Sequence, residues 1–264
     1  MLKVCPIASG SNGNCTYISD GKVNILIDAG ISATRIIREL STLCVAASEI
    51  DAIFITHEHG DHITGLLKLL DRTDATVFAS EGTVRGINER VPGISHRLEC
   101  ILPDGEKPVG ELKIRAFRTP HDTYESTGFT VCSEKERATV ATDIGCVTDE
   151  LLQKLMGADI LLLESNYDKR RLHFSKYPQF LKDRICGGCG HLSNDECANV
   201  ARLAVESGTK NIILGHISAE NNSPKEAYTA VHTHLTQNGI IPGVDMMLYV
   251  ATRDRRGEIV EVRK

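Results

Sequence analysis

The sequence predicts an α/β chain built as two mixed β-sheets with helices packed outside them. Short β-type runs and helical apolar spacing alternate from Leu2 to Ala251, with no linker-like stretch and no internal repeat. The strands outnumber what a simple βαβ winding would supply. The first few are separated only by short Gly, Asn and Asp turns, the spacing of antiparallel neighbours.

Residues 2–8, 15–19 and 23–27 read as three short strands. A helix follows over 31–43, with Ile31, Ile36, Ile37, Leu40 and Leu43 at helical spacing and Ser32 as its N-cap. Residues 50–56 form a buried-type strand, 63–70 a helix, 76–79 a strand and 81–90 a helix. Strands are expected at 112–117, 128–132 and 138–142, then a helix from Asp149 to Met156 and an apolar strand at 160–163. The last part alternates a helix (194–206), a strand (211–214), a helix (223–235) and a strand (246–251).

A length of 264 residues suits one compact domain over 1–264. Thirty Lys and Arg against 35 Asp and Glu give a net charge of -5, which excludes a globally basic nucleic-acid-binding protein. Contact with a polyanion then requires a local basic patch or a metal. With 41% apolar and 25% charged residues the chain is a globule rather than a disordered segment, and it needs no disulfide staples. The nine cysteines are odd in number and irregularly spaced, and Met1-Leu2-Lys3-Val4 opens no signal peptide, so reduced thiols in a cytoplasm are expected. No apolar run approaches the ~18 residues of a membrane span.

The strongest signal is Thr56-His57-Glu58-His59-Gly60-Asp61-His62, directly after the apolar run Ile53-Phe54-Ile55. His57, His59, Asp61 and His62 place four potential metal ligands on a loop at a strand's carboxyl end. Burying them unpaired would cost ~1–3 kcal/mol each, whereas cations would hold them together. The plain alternative is a solvated loop with coincidental histidines. A His-Glu-x-x-His zinc site is excluded, because Asp61 stands where the second His would be. A di-iron oxygen-reducing site would carry a carboxylate in place of His59.

The segment resembles the His-x-His-x-Asp-His motif of the metallo-β-lactamase superfamily. The superfamily's remaining positions match Asp28, His121, Asp143 and His216, each after an expected strand, so the resemblance spans essentially the whole chain. It implies a four-layer αβ/βα sandwich with the site where the inner sheets open at one edge. It also implies two divalent ions, with His57, His59 and His121 on one, Asp61, His62 and His216 on the other, and Asp143 bridging. Cations ~3.5–4 Å apart can share a carboxylate and a hydroxide, and that hydroxide would be the nucleophile. These donors suit Zn, Mn or Fe alike. Asp28 would orient a ligand or a bound water, unless it is a salt-bridged structural Asp. Asp143, where true β-lactamases commonly place Cys, points to the thioesterase, lactonase and phosphodiesterase branches.

Within the superfamily, the stretches 8–14, 164–168, 190–194 and 216–224 look like those of the YycJ/WalJ (VicX) family. That resemblance implies a DNA exonuclease working 5′ to 3′ on duplexes. Only 72 residues separate Asp143 from His216, too few for a β-CASP insertion. In the first stretch Ser11 and Asn12 are candidate substrate contacts, although the same residues could simply make a hairpin turn. His191 could protonate a leaving oxygen or bind a phosphate at the start of a helix, with Glu164 orienting it; an ordinary histidine is the alternative. Segment 169–184 holds six basic residues and three aromatics. Arg170, Arg171 and Lys176 could pair with phosphates and the aromatics stack on bases, or the segment is an amphipathic helix with a solvated face. Cys186 and Cys189 read as free cysteines in a Gly turn, the alternative being a thiol or structural-metal role. DNA is therefore the expected partner, and no stable protein partner is expected. The rival readings are a small (cyclic) phosphodiesterase, a thioesterase or lactonase, a non-catalytic regulator, and a thiol redox protein.

Overall fold

The computed structural model describes residues 1–262. It contains two seven-stranded sheets. The first is assembled from β1 (Lys3–Ala8), β2 (Cys15–Ser19), β3 (Asn24–Ile27), β4 (Ala52–Phe54), β5 (Thr76–Ala79) and β6 (Leu98–Cys100). The second holds β7 (Glu106–Val109), β8 (Leu112–Arg118), β9 (Thr127–Cys132), β10 (Arg137–Ala141), β11 (Ile160–Glu164), β12 (Asn211–Gly215) and β13 (Met247–Val250). A last strand, β14 (Val260–Glu261), returns to pair with β1 at the edge of the first sheet. Each sheet has an antiparallel half made of hairpins and a parallel half, β3 to β6 in the first and β10 to β13 in the second.

The inner strands of the parallel halves are buried on both faces, so they read as continuous apolar runs whose side chains alternate between two cores. In β11, Ile160 and Leu162 face the core between the sheets, while Leu161 and Leu163 face the outer helices. In β4, Phe54 enters the inter-sheet core and Ile53 the outer one. Phe54 stacks on Phe78 with centroids 5.0 Å apart and meets Phe129 of the opposite sheet edge-on at 5.4 Å. Outside the first sheet lie α1 (Ala33–Thr42), α2 (Gly60–Ile63), α3 (Leu66–Leu70) and α4 (Glu81–Arg90). The second sheet is followed by α5 (Asp149–Leu155), α6 (Lys169–Phe174), α7 (Gln179–Cys186), α8 (Asn194–Glu206) and α9 (Pro224–Gln237), of which α5, α8 and α9 cover its outer face. The result is the expected four-layer αβ/βα sandwich.

Ser32 caps α1 as predicted, its hydroxyl accepting from the Arg35 N–H. Three expectations need correction. The helix predicted over 63–70 is two short helices broken at Gly65, because Gly65 N–H donates to Ala29 O and a Cβ at Gly65 would lie 2.0 Å from Ile31 O. Strands β6, β7 and β14 were not anticipated, since they are short, partly exposed and, in β7, interrupted by Pro108. Segment 169–184 is a pair of helices, α6 and α7, broken before Pro178. No helix among the described residues is long and apolar enough to cross a membrane.

Candidate metal centre

The carboxyl ends of six strands from both sheets converge at one edge, where an open α/β sheet presents its ligand-binding loops. Asp28 follows β3, the 57–62 loop follows β4, His121 follows β8, Asp143 follows β10, Glu164 ends β11 and His216 follows β12. Asp28, Asp143 and His216 all have left-handed backbone, with φ of 64°, 58° and 49°. Such conformations are uncommon outside glycine and collect at functional sites. Here they turn three polar side chains inward at once.

The ligand atoms of His57, His59 and His121 lie within 4.8 Å of one another, as do those of Asp61, His62 and His216. Asp143 spans the two groups. Its Oδ1 lies 3.6 Å from His121 Nε2 and 3.2 Å from His216 Nδ1, and its Oδ2 lies 3.3 Å from His62 Nε2. All seven residues expected to hold metal are thus brought together. Asp28 sits behind them. Its carboxylate accepts from His62 Nδ1 at 2.7 Å and from the Thr56 N–H at 2.8 Å and hydroxyl at 3.0 Å, so it touches a ligand rather than the space between the ligands.

Glu164 occupies the same position on the other flank. Fully buried, its Oε1 accepts from His191 Nδ1 at 2.8 Å and His216 Nδ1 at 2.9 Å, and its Oε2 accepts from the Ile144 and Leu192 N–H groups. The helix beyond His191 does not offer its first N–H groups to an anion, because Ser193 and Glu196 close it with a reciprocal cap. Glu164 thus orients His191 and one of the metal-ligand candidates together.

The electrostatics fit cations. Burial and the neighbouring His62, His121 and His59 drive the His57 imidazole well below its ordinary pKa, and burial with His121 lowers that of His59. Burial also opposes charge on His62, but Asp28 and Asp143 outweigh it and push the imidazole up to about 9. Burial opposes protonation of His216 in the same way, yet Asp143, Asp61 and Glu164 raise it well above its ordinary value. Burial likewise disfavours ionised Asp61 and Glu164, but their histidine partners hold both carboxyls below the usual carboxylate range. Ionised Asp61 and Glu164 therefore call for positive charge among the imidazoles, and divalent cations can stand in for those protons. Two buried polar atoms, Asp143 Oδ2 and His216 Nε2, have no hydrogen-bond partner, and each belongs to a residue expected to bind metal.

The substrate candidates are less uniformly placed. Ser11 and Asn12 are exposed at the tip of the β1–β2 turn. Their neighbours Ser9 and Asn14, missed in the sequence, do the contacting: Ser9 Oγ accepts from the His216 N–H at 2.7 Å, and the Asn14 amide lies 3.1 Å from His62 Nε2. Thr56 was also missed, although its hydroxyl bonds Asp28 and lies 3.0 Å from Nδ1 of both His57 and His62. Only their positions beside motif residues could have flagged these three. Arg171 pairs with Glu226, Lys169 with Asp195 and Arg184 with Asp122, so much of the basic segment is internally neutralised. Arg170 and Lys176 are exposed and form no ion pair among the described residues. Cys186 and Cys189 are exposed free thiols, as are Cys44, Cys100 and Cys146 elsewhere in the chain.

Comparison with known proteins agrees with this geometry. A Beta-lactamase superfamily domain matches residues 23–217. The chain is 32% identical to exodeoxyribonuclease WalJ of Streptococcus pneumoniae over 264 residues, covering 99% of this chain and 98% of that protein. It is 31% identical to exodeoxyribonuclease YycJ of Bacillus anthracis, covering 88% of this chain and 89% of the relative. Among solved structures, the metallo-beta-lactamase fold protein YhfI of Bacillus subtilis superposes with a TM-score of 0.74 at 16% identity, covering 99% of this chain and 100% of that one, which speaks for the fold. The chain belongs to the beta-lactamase superfamily and, within it, to the WalJ/YycJ family.

Proposed function

We propose that this protein is a metal-dependent phosphodiester hydrolase that degrades DNA from an end, holding two divalent cations of Zn, Mn or Fe. One observation carries the reading: Asp143 lies between two complete ligand groups in a chain similar along its full length to exodeoxyribonucleases. His57, His59 and His121 would hold one cation, and Asp61, His62 and His216 the other, with Asp143 shared. Bound there, the cations activate water near neutral pH and neutralise the phosphate.

The chain's own residues do the remaining work. Asp28 fixes His62 through Nδ1, and Glu164 fixes His216 through Nδ1, which leaves Nε2 of each ring toward Asp61. His191 gives its Nδ1 to Glu164 and keeps its other nitrogen to pass a proton to the leaving oxygen. Its side chain is 22% exposed, whereas the other histidine on Glu164, His216, is nearly sealed. Arg170 and Lys176 would meet the DNA backbone beside the site. The chain reads as a single catalytic domain, since α5 to α8 with β11 and β12 fill the interval between Asp143 and His216.

The test is digestion of end-labelled duplex DNA with and without added Mn²⁺, beside a chromogenic bis-aryl phosphodiester. The expected result is a ladder of stepwise shortening, lost in His59→Ala/Asp61→Ala, whose direction gives the polarity, expected to be 5′ to 3′. Chromogenic turnover with intact DNA would move the substrate to a small phosphodiester and overturn the nuclease reading.

A further inference from the structure

The chain has six phenylalanines. Phe54, Phe78, Phe117 and Phe129 are buried in the cores, whereas Phe174 and Phe180 are each 74% exposed. Both exposed rings lie on the hairpin of α6 and α7.

That hairpin is rooted at the metal centre. It opens just after Glu164 and closes just before His191, two residues joined by a hydrogen bond. At its closing end Ile185 O accepts from the His191 N–H, Gly190 O accepts from His121 Nδ1, and Arg184 pairs with Asp122 beside His121. A cavity of about 450 Å³ opens on it, lined by Arg171, Phe174, Ser175, Lys176, Tyr177 and Glu220. That volume suits a small ligand or one nucleotide. The rings of Phe174 and Tyr177, a free ammonium on Lys176 and an acceptor on Glu220 match a base with its attached phosphate, while Phe180 lies outside this lining as a second exposed ring on α7. Because Lys169, Arg171 and Arg184 are spent on internal ion pairs, charge is the minor part of this surface and the aromatic faces are the major part.

We propose that the α6–α7 hairpin is a nucleobase-stacking site, on which Phe174 and Phe180 hold unpaired bases of a DNA end beside the metal centre. This rests on the nuclease reading above and deepens it: the bound form is a strand opened at its end, not an intact duplex. Base–aromatic stacking tolerates any base and owes little to counterion release.

Binding is measured on the metal-loaded protein by fluorescence anisotropy, using fluorescein-labelled oligonucleotides with phosphorothioate linkages that resist cleavage. One is a blunt duplex and the other carries a single-stranded tail. Wild-type protein should prefer the tailed form. Phe174→Ala and Phe180→Ala should each weaken it roughly tenfold without changing the slope of affinity against salt, and Phe174→Tyr/Phe180→Tyr should retain it. Metal content and unfolding temperature verify that the variants are folded. Unchanged affinity in the alanine double variant overturns the proposal, as does a wild-type dimer in sedimentation that the double variant dissociates. Wild-type protein that binds the tail but cuts no DNA overturns the exonuclease reading alone. Cutting of DNA with alanine variants that bind like wild type overturns the stacking site alone.

Discussion

At the scale of single residues, the centre depends on carboxylates that never face the reacting space. Glu164 Oε1 accepts from Nδ1 of both His191 and His216. Glu164→Gln keeps the shape but replaces one acceptor oxygen with a donor: either the new amide meets the Ile144 and Leu192 N–H groups, or it faces both imidazoles and neither keeps its acceptor. Partners of this kind typically carry roughly 10–100-fold in metal affinity or activity. Glu164→Gln should therefore weaken binding of the second cation by that factor, read by competition with a chromogenic chelator, and should lower the rate with saturating metal as well. An equal loss with His191 already replaced by Ala would show that only His216 is being oriented. Asp28→Asn is its counterpart on the other flank: it should weaken the same cation through His62, and unaltered affinity would reduce Asp28 to a fold residue. The four residues outside the motifs that build this layer, Ser9, Asn14, Thr56 and Glu164, were the hardest to read. An asparagine or threonine beside a ring nitrogen, or a serine on a histidine's backbone N–H, looks in the sequence like any turn residue, and only Glu164 was suspected.

Among the secondary elements, backbone packing sets the ligand loop. Gly30 N–H donates to Asn14 O at 2.7 Å, and Asn14 N–H donates to Asp61 O at 2.8 Å, which ties the β1–β2 turn, the end of β3 and the start of α2 together. A Cβ on Gly30 would lie 1.6 Å from Asp61 O, a backbone atom with nowhere to go. Gly30→Ala should thus displace the loop, costing about 3 kcal/mol, the upper end of what overpacking costs. It should also lower metal affinity, whereas Gly188→Ala, where a Cβ would meet nothing within 4 Å and the backbone is not left-handed, should cost far less and leave the metal untouched. Equal unfolding temperatures for the two variants would refute this. The elements themselves were mostly legible because most are buried on one or both faces, and burial writes a period into the sequence: α1, α4 and α8, and the strands from β8 to β13, were all anticipated. Strands β6 and β7 failed because exposed edges carry no such period. The helix predicted over 63–70 failed because Gly65 breaks it for a tertiary contact that no local pattern records.

For the whole molecule, the site is a convergence of distant segments. Asp28, His121, Asp143 and His216 could be assigned to one centre because they match the motif positions of the superfamily that the chain resembles. The convergence of strand ends at one edge is the physical reason such distant positions meet. The exposed hairpin of α6 and α7 could not be judged the same way: its six basic residues looked like a phosphate track, and only the structure shows Lys169, Arg171 and Arg184 paired internally. The same convergence would let bound cations stabilise the fold. Without them the seven residues force carboxylates and imidazoles into mutual contact across both sheets, with Asp143 Oδ2 and His216 Nε2 unsatisfied. A cation held at 100 to 1,000 times its dissociation constant stabilises the native state by about 2.7–4.1 kcal/mol. For a chain of this size that corresponds to a rise in unfolding temperature of roughly 5–15 °C. Chelator-treated protein should unfold that much earlier than protein reloaded with Mn²⁺ or Zn²⁺, and His59→Ala/Asp61→Ala should show a smaller gap. If elemental analysis confirms that the metal is gone and the unfolding temperature has not moved, the two sheets hold the cluster in place by packing alone, and the cations serve chemistry without serving the fold.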